Sequence, residues 1–412
     1  MFLSSCLPLR YTDWMEKTKS PHLFFIYLTI FVNILGFGMI FPLLPFYAQQ
    51  FNASETTIGF LAASYAIAQF ILSPVWGRLS DRFGRKPIIG IALLGLACSF
   101  LLFGLSNSLI LLFISRILQG IFSGAAMPVA QAYVADVTSK ESRIKGMGNL
   151  GASLAAGFIF GPAIGGVLSG IHISFPFFAA SALAALNFIS VLIFLPESLS
   201  QKAGKLMIKE GFFNIKQMYR GLRGELGSLF ILVFFWSFAL TNNSVAIPLY
   251  GLEYLNLSVL TIGYFFSVQG LLAVLMQSLL IYRITRFFGE HKAIVLGLSI
   301  MAVGLFLVPF AKSGAFLLFF MVLMTLGSSM IRPTLATLVS KETHEGQGTT
   351  MGIFSSFESL GRVFGPMLGG WLFSTFDFHS PFTISAVLIL LSLIFVVQIK
   401  GFFRGVVKSR GD

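Results

Sequence analysis

Apolar runs long enough to cross a lipid bilayer recur along the whole chain, and short polar segments separate them. A membrane-crossing helix needs about 20 apolar residues for a hydrocarbon core about 30 Å thick. Twelve such runs fit the sequence, at 23–47, 57–76, 87–106, 108–134, 147–168, 175–195, 228–250, 260–282, 291–310, 314–338, 349–372 and 381–399. They do not alternate as the strands of a membrane barrel do. With 11% charged residues the chain could not cover a water-soluble surface, so we predict an all-α membrane protein with twelve transmembrane helices.

The runs form two groups of six with a polar segment between them. We therefore predict a cytoplasmic N-terminus (1–22), a first six-helix half (23–196), a cytoplasmic linker (197–227), a second six-helix half (228–399) and a cytoplasmic C-terminus (400–412). The longest polar segment is too short for an appended soluble domain. A transporter-like membrane sensor, which would need such a domain, is the less favoured alternative.

Lysine and arginine lie almost entirely in alternate loops. With the N-terminus in the cytoplasm, 24 of the 28 fall in cytoplasmic segments, and only Lys312 lies in an outer loop. Because cytoplasmic loops carry the excess of Lys and Arg, we predict a multi-pass protein of the cell (inner) membrane with both termini cytoplasmic. The same distribution explains the net charge of +12 without a nucleic-acid partner.

The two halves resemble each other at a nearly constant offset. TIGF at Thr57 corresponds to TIGY at Thr261, and GFIFGPAIGG from Gly157 corresponds to GRVFGPMLGG from Gly361. Repeated halves are typical of secondary transporters, which bind their substrate near the midplane between the repeats. The duplication therefore indicates a transporter of small molecules. We expect it to work as a monomer, because its two halves already supply the pathway.

Three motifs carry a resemblance to a known family. GRLSDRFGRKP from Gly77 resembles the signature loop between the second and third helices of the major facilitator superfamily. LLFISRILQGIFSGAA from Leu111 and GFIFGPAIGG from Gly157 resemble the fourth- and fifth-helix signatures of its drug:proton antiporters. The resemblance covers the whole chain and is closest to the twelve-helix tetracycline and multidrug efflux branch. It implies the major facilitator fold, with two pseudo-symmetric halves, and proton-coupled export of small amphipathic organic compounds by alternating access.

The resemblance implies a gating role for the first cytoplasmic loop. Asp81 would face the amino end of span eleven, near 347–350, where the helix dipole favours a carboxylate. Arg82 and Arg85 would pair with acids such as Asp136. Glycines would provide the tight turns at Gly84 and at Gly289 in the second half. The gating residues are Gly77, Asp81, Arg82, Gly84, Arg85 and Lys86.

The fifth-helix motif places small residues along one stripe, which lets neighbouring helices approach closely. The resemblance links this motif to antiport, whereas the alternative is a role in packing alone. Its residues are Gly157, Gly161, Pro162, Gly165 and Gly166.

Arg116 lies within span four, where a charge costs about 2.5–3.5 kcal/mol on insertion scales. Gln119, one turn further on, can share its hydrogen bonds. The resemblance associates Arg116 with proton coupling. The alternative is an arginine whose donors are satisfied by backbone carbonyls.

The proton carrier departs from the family pattern. Efflux relatives often carry an acid in span one, where this chain has Asn33, which cannot titrate. Glu358 is the only carboxylate deep in a span, and Arg362 follows one turn later on the same face. Because burial favours a protonated carboxyl and a nearby arginine favours a carboxylate, we predict that Glu358 and Arg362 handle the coupling proton. Asp136 is the second candidate, and a purely structural pair is the alternative.

The resemblance implies a cavity between the halves that is lined mainly by spans one, four, seven and ten, with Tyr65 and Gln69 from span two. Apolar and aromatic walls with a few hydrogen-bonding groups suit amphipathic organic molecules, and Arg332 could offset an anionic one. The candidate lining residues are Asn33, Phe37, Tyr65, Gln69, Gln119, Met127, Phe238, Asn242, Asn243, Met330 and Arg332.

Other functional classes find less support in the sequence. It contains no nucleophile elbow, no metal-ligand cluster and no phosphate-binding G-x-x-x-x-G-K-[ST] segment, so we expect neither an enzyme nor an ATP-driven pump. We expect no metal or organic cofactor, with the proton gradient as the energy source. Because span one lacks the acid, a proton-coupled importer or facilitator of a metabolite stays open as the alternative.

Overall fold

The structure, a computed structural model, describes residues 22–199, 215–224, 226–343 and 347–409. Twelve long helices follow one another in these ranges: α1 (His22–Ile40), α2 (Glu55–Phe83), α3 (Arg85–Gly104), α4 (Leu109–Val137), α5 (Lys140–Ser169), α6 (Phe175–Phe194), α7 (Gly227–Glu253), α8 (Val259–Phe288), α9 (Glu290–Leu307), α10 (Gly314–Glu342), α11 (Gln347–Thr375) and α12 (Ser380–Ser409). The prediction of an all-α protein with twelve long helices is confirmed. Nearly all of the predicted N-terminus and much of the linker lie outside the described residues.

Ten of these helices are long and apolar enough to cross a membrane, and Ser380–Val396 in α12 is a shorter apolar segment. The remaining helix, α11, carries Glu358 and Arg362 among several glycines and serines. Its lower hydropathy fits its place inside the bundle, where its glycine-rich face packs against α7 and α2.

The same side-chain cap begins α2 and α8, the second helices of the two halves. The Ser54 hydroxyl accepts a hydrogen bond from the Thr57 backbone N–H at 3.3 Å, and Ser258 accepts one from Thr261 at 3.2 Å. A capping serine satisfies one of the backbone donors that a helix start leaves free. The repeated TIG sequence thus marks the same helix start in each half.

The charged segment after span two is helical, which corrects the prediction of a loop from Gly77. Helix α2 continues to Phe83 and α3 begins at Arg85, so Gly84 alone makes the turn. Its φ of +108°, like the +77° of Gly289 in the second half, is readily adopted only by glycine. A helix that leaves the apolar layer can continue through polar residues. The hydropathy of the sequence therefore placed the end of α2 too early in the chain.

Two predicted spans are interrupted. The span predicted at 23–47 stops at Ile40 and resumes as a short helix over Leu44–Gln49. Pro42 explains the break, because its ring clashes with the preceding turn and it lacks an N–H. In α8, one turn over Met276–Leu280 has π-helical hydrogen bonding. A further short helix, Ile215–Arg223, lies within the predicted linker.

The two glycine motifs pack in the same way in each half. In α5, a Cβ added at Gly161 would lie 2.8 Å from the Leu35 carbonyl oxygen of α1. In α11, a Cβ at Gly365 would lie 2.6 Å from the Phe238 carbonyl oxygen of α7. Such approaches need glycine on the facing side. Each motif therefore joins the fifth helix of its half to the first, and Gly157 and Gly165 make similar contacts with α1.

The last glycine of each motif contacts the opposite half. A Cβ at Gly166 would lie 3.2 Å from the Leu260 Cα of α8, and one at Gly370 would lie 2.2 Å from the Glu55 carbonyl oxygen of α2. These contacts lie at the ends of the helices predicted to face outward. There the halves also share a 2.7 Å hydrogen bond from Gln49 Nε2 to Glu253 Oε1. The structure is thus closed on its predicted outer side.

Replacing Gly59 with alanine is expected to shift the protein toward an outward-open state. Its Cβ would lie 2.4 Å from the Pro366 carbonyl oxygen, so the two halves would have to separate at this end. A cysteine introduced at Thr56, in a cysteine-free background, should then react faster with a membrane-impermeant maleimide added from outside. Gly151→Ala is the matched control, because a Cβ there meets no atom within 4 Å. Equal labelling of the two variants would contradict the prediction.

Candidate functional site

Glu358 of α11 lies at the centre of a charged cluster in the second half. Its carboxylate accepts two hydrogen bonds from Arg332 of α10, from Nε at 3.0 Å and from Nη2 at 3.1 Å. Arg362 Nη2 lies 3.8 Å from Glu358 Oε1. The predicted pair with Arg362 is therefore present, but the closer partner is Arg332, which the sequence placed only in the substrate cavity. Spacing along one helix could identify Arg362 but not a residue on another helix.

The cluster lies deep in the bundle and is exposed unevenly. At a rise of about 1.5 Å per residue, Glu358 lies about 16 Å from the start of α11, near the middle of a hydrocarbon core about 30 Å thick. The Glu358 side chain is 9% exposed, whereas those of Arg332 and Arg362 are 50% and 44% exposed. The two guanidinium groups are therefore the accessible part of this cluster.

Arg116 of α4 forms a second cationic centre, in the first half. It is 2% exposed, its Nη1 donates to Gln119 Oε1 at 3.1 Å, and its guanidinium lies 4.8 Å from the centre of the Tyr65 ring. The predicted hydrogen bond with Gln119 is present. No acid pairs with Arg116 among the described residues. A buried charge without a counterion is costly, so the Tyr65 ring and Gln119 provide its main compensation.

Tyr65 connects this centre to a polar network. Its hydroxyl lies 2.7 Å from Ser123 Oγ and accepts a hydrogen bond from Gln69 Nε2 at 3.1 Å. Ser123 in turn donates to Asn33 Oδ1 at 3.1 Å. Asn33, Tyr65 and Gln69 were predicted at this site. Ser123 was not, since a single serine in an apolar helix resembles any other.

Aromatic rings cover one side of Tyr65. The Phe37 ring centroid lies 5.2 Å from that of Tyr65 and 6.1 Å from that of Phe158. Phe37 also contacts Phe41, at 5.1 Å, and Phe41 meets Phe266 of the opposite half at 5.8 Å. The predicted role of Phe37 in an aromatic wall fits this arrangement, and its three aromatic neighbours extend the wall to both halves.

Several predicted cavity residues serve helix packing instead. Asn242 donates to Ser385 Oγ at 2.5 Å and to the Pro381 carbonyl at 2.7 Å, both in α12. Asn243 donates to the backbone of its own helix, and Met330 is 2% exposed. Buried amide groups need hydrogen-bond partners, and here neighbouring backbones supply them. In this structure Asn242, Asn243 and Met330 are held in helix contacts, and their place in a substrate cavity stays a prediction.

Phe238 and Met127 also lie away from the Tyr65 network. Phe238 lines a separate apolar cavity of about 500 Å³ formed by side chains of α7, α11 and α12. Met127 packs against the hydrophobic core of the first half. Both predictions relied on helix number, which does not determine which face of a helix points inward.

Arg85 organises a third cluster at the predicted cytoplasmic end. Its Nη1 donates to Asp81 Oδ1 and to Ser80 Oγ, each at 2.6 Å, and its Nε donates to Asp136 Oδ2 at 3.0 Å. Ser198 Oγ also donates to Asp136 Oδ2, at 3.1 Å. The predicted pair of Arg85 and Asp136 is present. Asp136 thus links α3, α4 and the segment after α6, which weakens its case as a proton carrier.

Glu197 completes this cluster, and the sequence interpretation missed it. Its carboxylate accepts hydrogen bonds from the backbone N–H groups of Arg85, at 2.8 Å, and Lys86, at 3.2 Å. An acid is favoured at a helix start by the dipole and by the free N–H groups. A Cβ at Gly84 would lie 2.3 Å from Glu197 Oε2, so glycine is required at this turn for a second reason.

The charged residues at the end of α2 make different contacts. Arg82 pairs with no acid among the described residues and lies over the Phe83 ring at 5.2 Å, so the prediction of an ion pair is wrong. Asp81 binds Arg85 of its own half. Its predicted contact with the start of α11 falls partly on side chains at 347–348, outside the described residues, and stays a prediction. Lys86 Nζ donates to the Leu192 carbonyl at 2.8 Å, while a Cβ at Gly77 meets nothing within 4 Å.

Known proteins are similar to this chain in sequence and in fold. The sequence pattern of the Major Facilitator Superfamily matches residues 26–280 and 229–404. Multidrug resistance protein 2 of Bacillus subtilis (strain 168) is 34% identical over 367 residues, covering 88% of this chain and 91% of the relative. Quinolone resistance protein NorA of Staphylococcus aureus is 29% identical over 356 residues, covering 86% and 90% respectively.

A solved structure agrees with these sequence matches. A bacterial homologue of the human lysosomal transporter Spinster has a TM-score of 0.74 at 17% identity, covering 94% of this chain and 96% of the other. The matched regions include both six-helix halves, both glycine motifs and the three charged clusters. The chain therefore belongs to the Major Facilitator Superfamily of membrane transporters.

Proposed function

We propose that this protein exports small amphipathic organic compounds from the cell, driven by the proton gradient. The observation that carries the proposal is Glu358, a carboxylate buried at mid-membrane depth and held by two accessible arginines. Relatives named for multidrug and quinolone resistance support export as the direction and organic compounds as the substrates.

Alternating access gives these groups their roles. In the present state the halves are in contact on the outer side, so the substrate enters from the cytoplasm. Glu358 pairs with Arg332 in this state. Once the outer side has opened, a proton arriving from outside binds Glu358, neutralises it and breaks this ion pair. Arg332 is then free to move, which couples proton entry to the change of state. Arg116, which lies over the Tyr65 ring in the first half, is the second charged group of this pathway.

The remaining predictions fit this mechanism as parts of the same proposal. Both termini lie in the cytoplasm, the protein acts as a monomer in the bilayer, and no cofactor takes part. The loop around Asp81 and Arg85 stabilises the first half at its cytoplasmic end while the inner side opens and closes. The glycine motif ending at Gly166 seals the contact with α8 against leakage of protons.

A second candidate is a proton-coupled importer of a metabolite. The observation that favours it is Asn33, which replaces the span-one acid expected in efflux relatives and binds Ser123 as an uncharged acceptor. A proton-coupled importer moves substrate and proton in the same direction across the membrane, whereas the proposed exporter moves them in opposite directions.

Transport by the purified full chain in proteoliposomes tests both candidates. A panel of fluorescent dyes and antibiotics is supplied on one side, with a pH gradient of either polarity or none. Export by antiport predicts that each substrate accumulates in the compartment that starts with more protons. Accumulation in the opposite compartment would support the importer. Equilibration alone, without accumulation under either gradient, would contradict proton coupling.

A further inference from the structure

The interior of the bundle carries an excess of positive charge. Among the described residues, three arginines lie well inside the long helices, at Arg116, Arg332 and Arg362, and Glu358 is the one acid at comparable depth. Formal charges therefore leave this region two units positive. Uncompensated charge in a low-dielectric interior is expensive, so a compensating negative charge is missing from the protein itself.

The carboxylate of Glu358, the one acid at this depth, already binds arginine. Both Glu358 oxygens accept hydrogen bonds from Arg332, and Arg362 lies 3.8 Å from one of them. A cationic substrate would have to displace a bidentate arginine to reach this carboxylate, and bidentate pairs are among the strongest charged contacts. The site therefore disfavours cations.

Donors without acceptors lie on both halves. Arg116 Nε and Gln119 Nε2 are buried, at 2% and 1% residue exposure, and neither has a hydrogen-bond acceptor among the described residues. Arg362 is 44% exposed and forms no hydrogen bond to another described residue. Buried donors normally find an acceptor. Of these groups Arg362 is the accessible one, and a ligand with negatively charged oxygens would supply the acceptor.

The apolar side chains nearby indicate which chemical groups the rest of such a ligand would carry. Phe37 contacts Tyr65, whose hydroxyl is held by Ser123, and the aromatic wall continues through Phe41 to Phe266 of the opposite half. Aromatic walls bind flat apolar bodies. An amphipathic molecule with an apolar body and an acidic group matches both kinds of side chain.

We infer that the transported compounds are amphipathic organic anions, with an aromatic or apolar body against the Phe37 wall and a carboxylate or sulfonate toward Arg362 and Arg332. This inference rests on the proposed function, since it assigns the exported compound to this same site. It departs from lipophilic cations, which a site with an unpaired acid would select.

Equilibrium binding to the purified full chain tests the charge preference independently of pumping. Three probes share one ring system and differ in charge: naphthaleneacetate, naphthaleneacetamide and naphthylethylammonium. Titration calorimetry should show naphthaleneacetate binding roughly tenfold more tightly than the neutral amide, because charge-assisted hydrogen bonds are the stronger kind. The ammonium probe should bind most weakly.

Two variants test whether the preference for an anionic probe arises from this cluster. Arg362→Gln should weaken naphthaleneacetate binding roughly tenfold and leave the amide unchanged, because only the charged contact is removed. Glu358→Gln should strengthen naphthaleneacetate binding, because it frees Arg332 and removes the competing carboxylate. Arg286→Gln is the matched control, since this arginine is exposed at the end of α8 and should leave all three affinities unchanged.

The outcomes separate the inference from the proposed function. The inference would be overturned if the ammonium probe bound as tightly as naphthaleneacetate or more tightly, or if naphthaleneacetate did not bind. It would also be overturned if Arg362→Gln weakened the binding of all three probes equally. The wild-type charge series decides this even if a variant fails to fold. If naphthaleneacetate is preferred but is not moved by a pH gradient in proteoliposomes, the inference stands and proton-driven export fails. If export occurs without a charge preference, the inference alone fails.

Discussion

Glu358→Gln is expected to abolish the accumulation of substrate driven by a pH gradient while leaving downhill exchange intact. Glutamine has the shape of a protonated glutamic acid, so the variant cannot release a proton and cannot re-form the charged pair with Arg332. Substrate should still cross the membrane, because the path between the halves is unchanged. The measurement compares uphill accumulation with counterflow of labelled substrate in proteoliposomes.

The control for this prediction is Asp377→Asn, which neutralises an exposed acid between α11 and α12. It should accumulate substrate like the parent protein. Uphill transport at the parent rate by Glu358→Gln would show that the ion pair with Arg332 is structural. The coupling proton would then have to be sought at Asp136 or at Arg116 and its neighbours.

Arg85→Gln is expected to destabilise the protein and to reduce transport strongly. Arg85 is 6% exposed and holds Asp81, Asp136 and Ser80 together. Removing one partner of a buried ion pair costs about 3–5 kcal/mol, and the partial exposure of the two acids places the expected loss near the lower figure. Heating the purified protein and measuring the monodisperse fraction by size-exclusion chromatography gives the change in stability.

Two further variants show whether the loss comes from the stranded acids. Arg82→Gln removes an adjacent arginine that pairs with no acid among the described residues, so it should leave the thermal stability nearly unchanged. Adding Asp136→Asn to Arg85→Gln should recover part of the stability, because two residues in contact are energetically coupled. Equal losses in Arg82→Gln and Arg85→Gln would contradict the assignment.

Features that depend on neighbouring residues could be predicted from the sequence. Hydropathy located the long helices, and the TIG repeat marks corresponding helix starts, each capped by the serine three residues before it. Gly84 turns the chain with a positive φ. Glu358 and Arg362 meet because a helix brings residues four apart to one face. These outcomes follow from local geometry and need no knowledge of the rest of the fold.

Features that depend on the relative rotation of helices were missed or misplaced. Arg332 and Glu358 are 26 residues apart and pair only because α10 and α11 turn these faces toward each other. The rotation of α7 about its axis was equally unknown. Asn242 was therefore predicted in a cavity, although its amide binds the backbone of α12. Every face of a membrane helix can be apolar, so periodicity does not reveal which side meets protein.

The sequence by itself determined the membrane class, the twelve helices, their duplication and the family, because each is encoded in runs and motifs of adjacent residues. Only the tertiary structure decided that the predicted outer side is closed and that Arg332 is the main partner of Glu358. It also decided that Arg116 pairs with no acid among the described residues. The physical reason is that ion pairs and close glycine contacts depend on distances between helices, which are determined by packing and not by the order of residues along the chain.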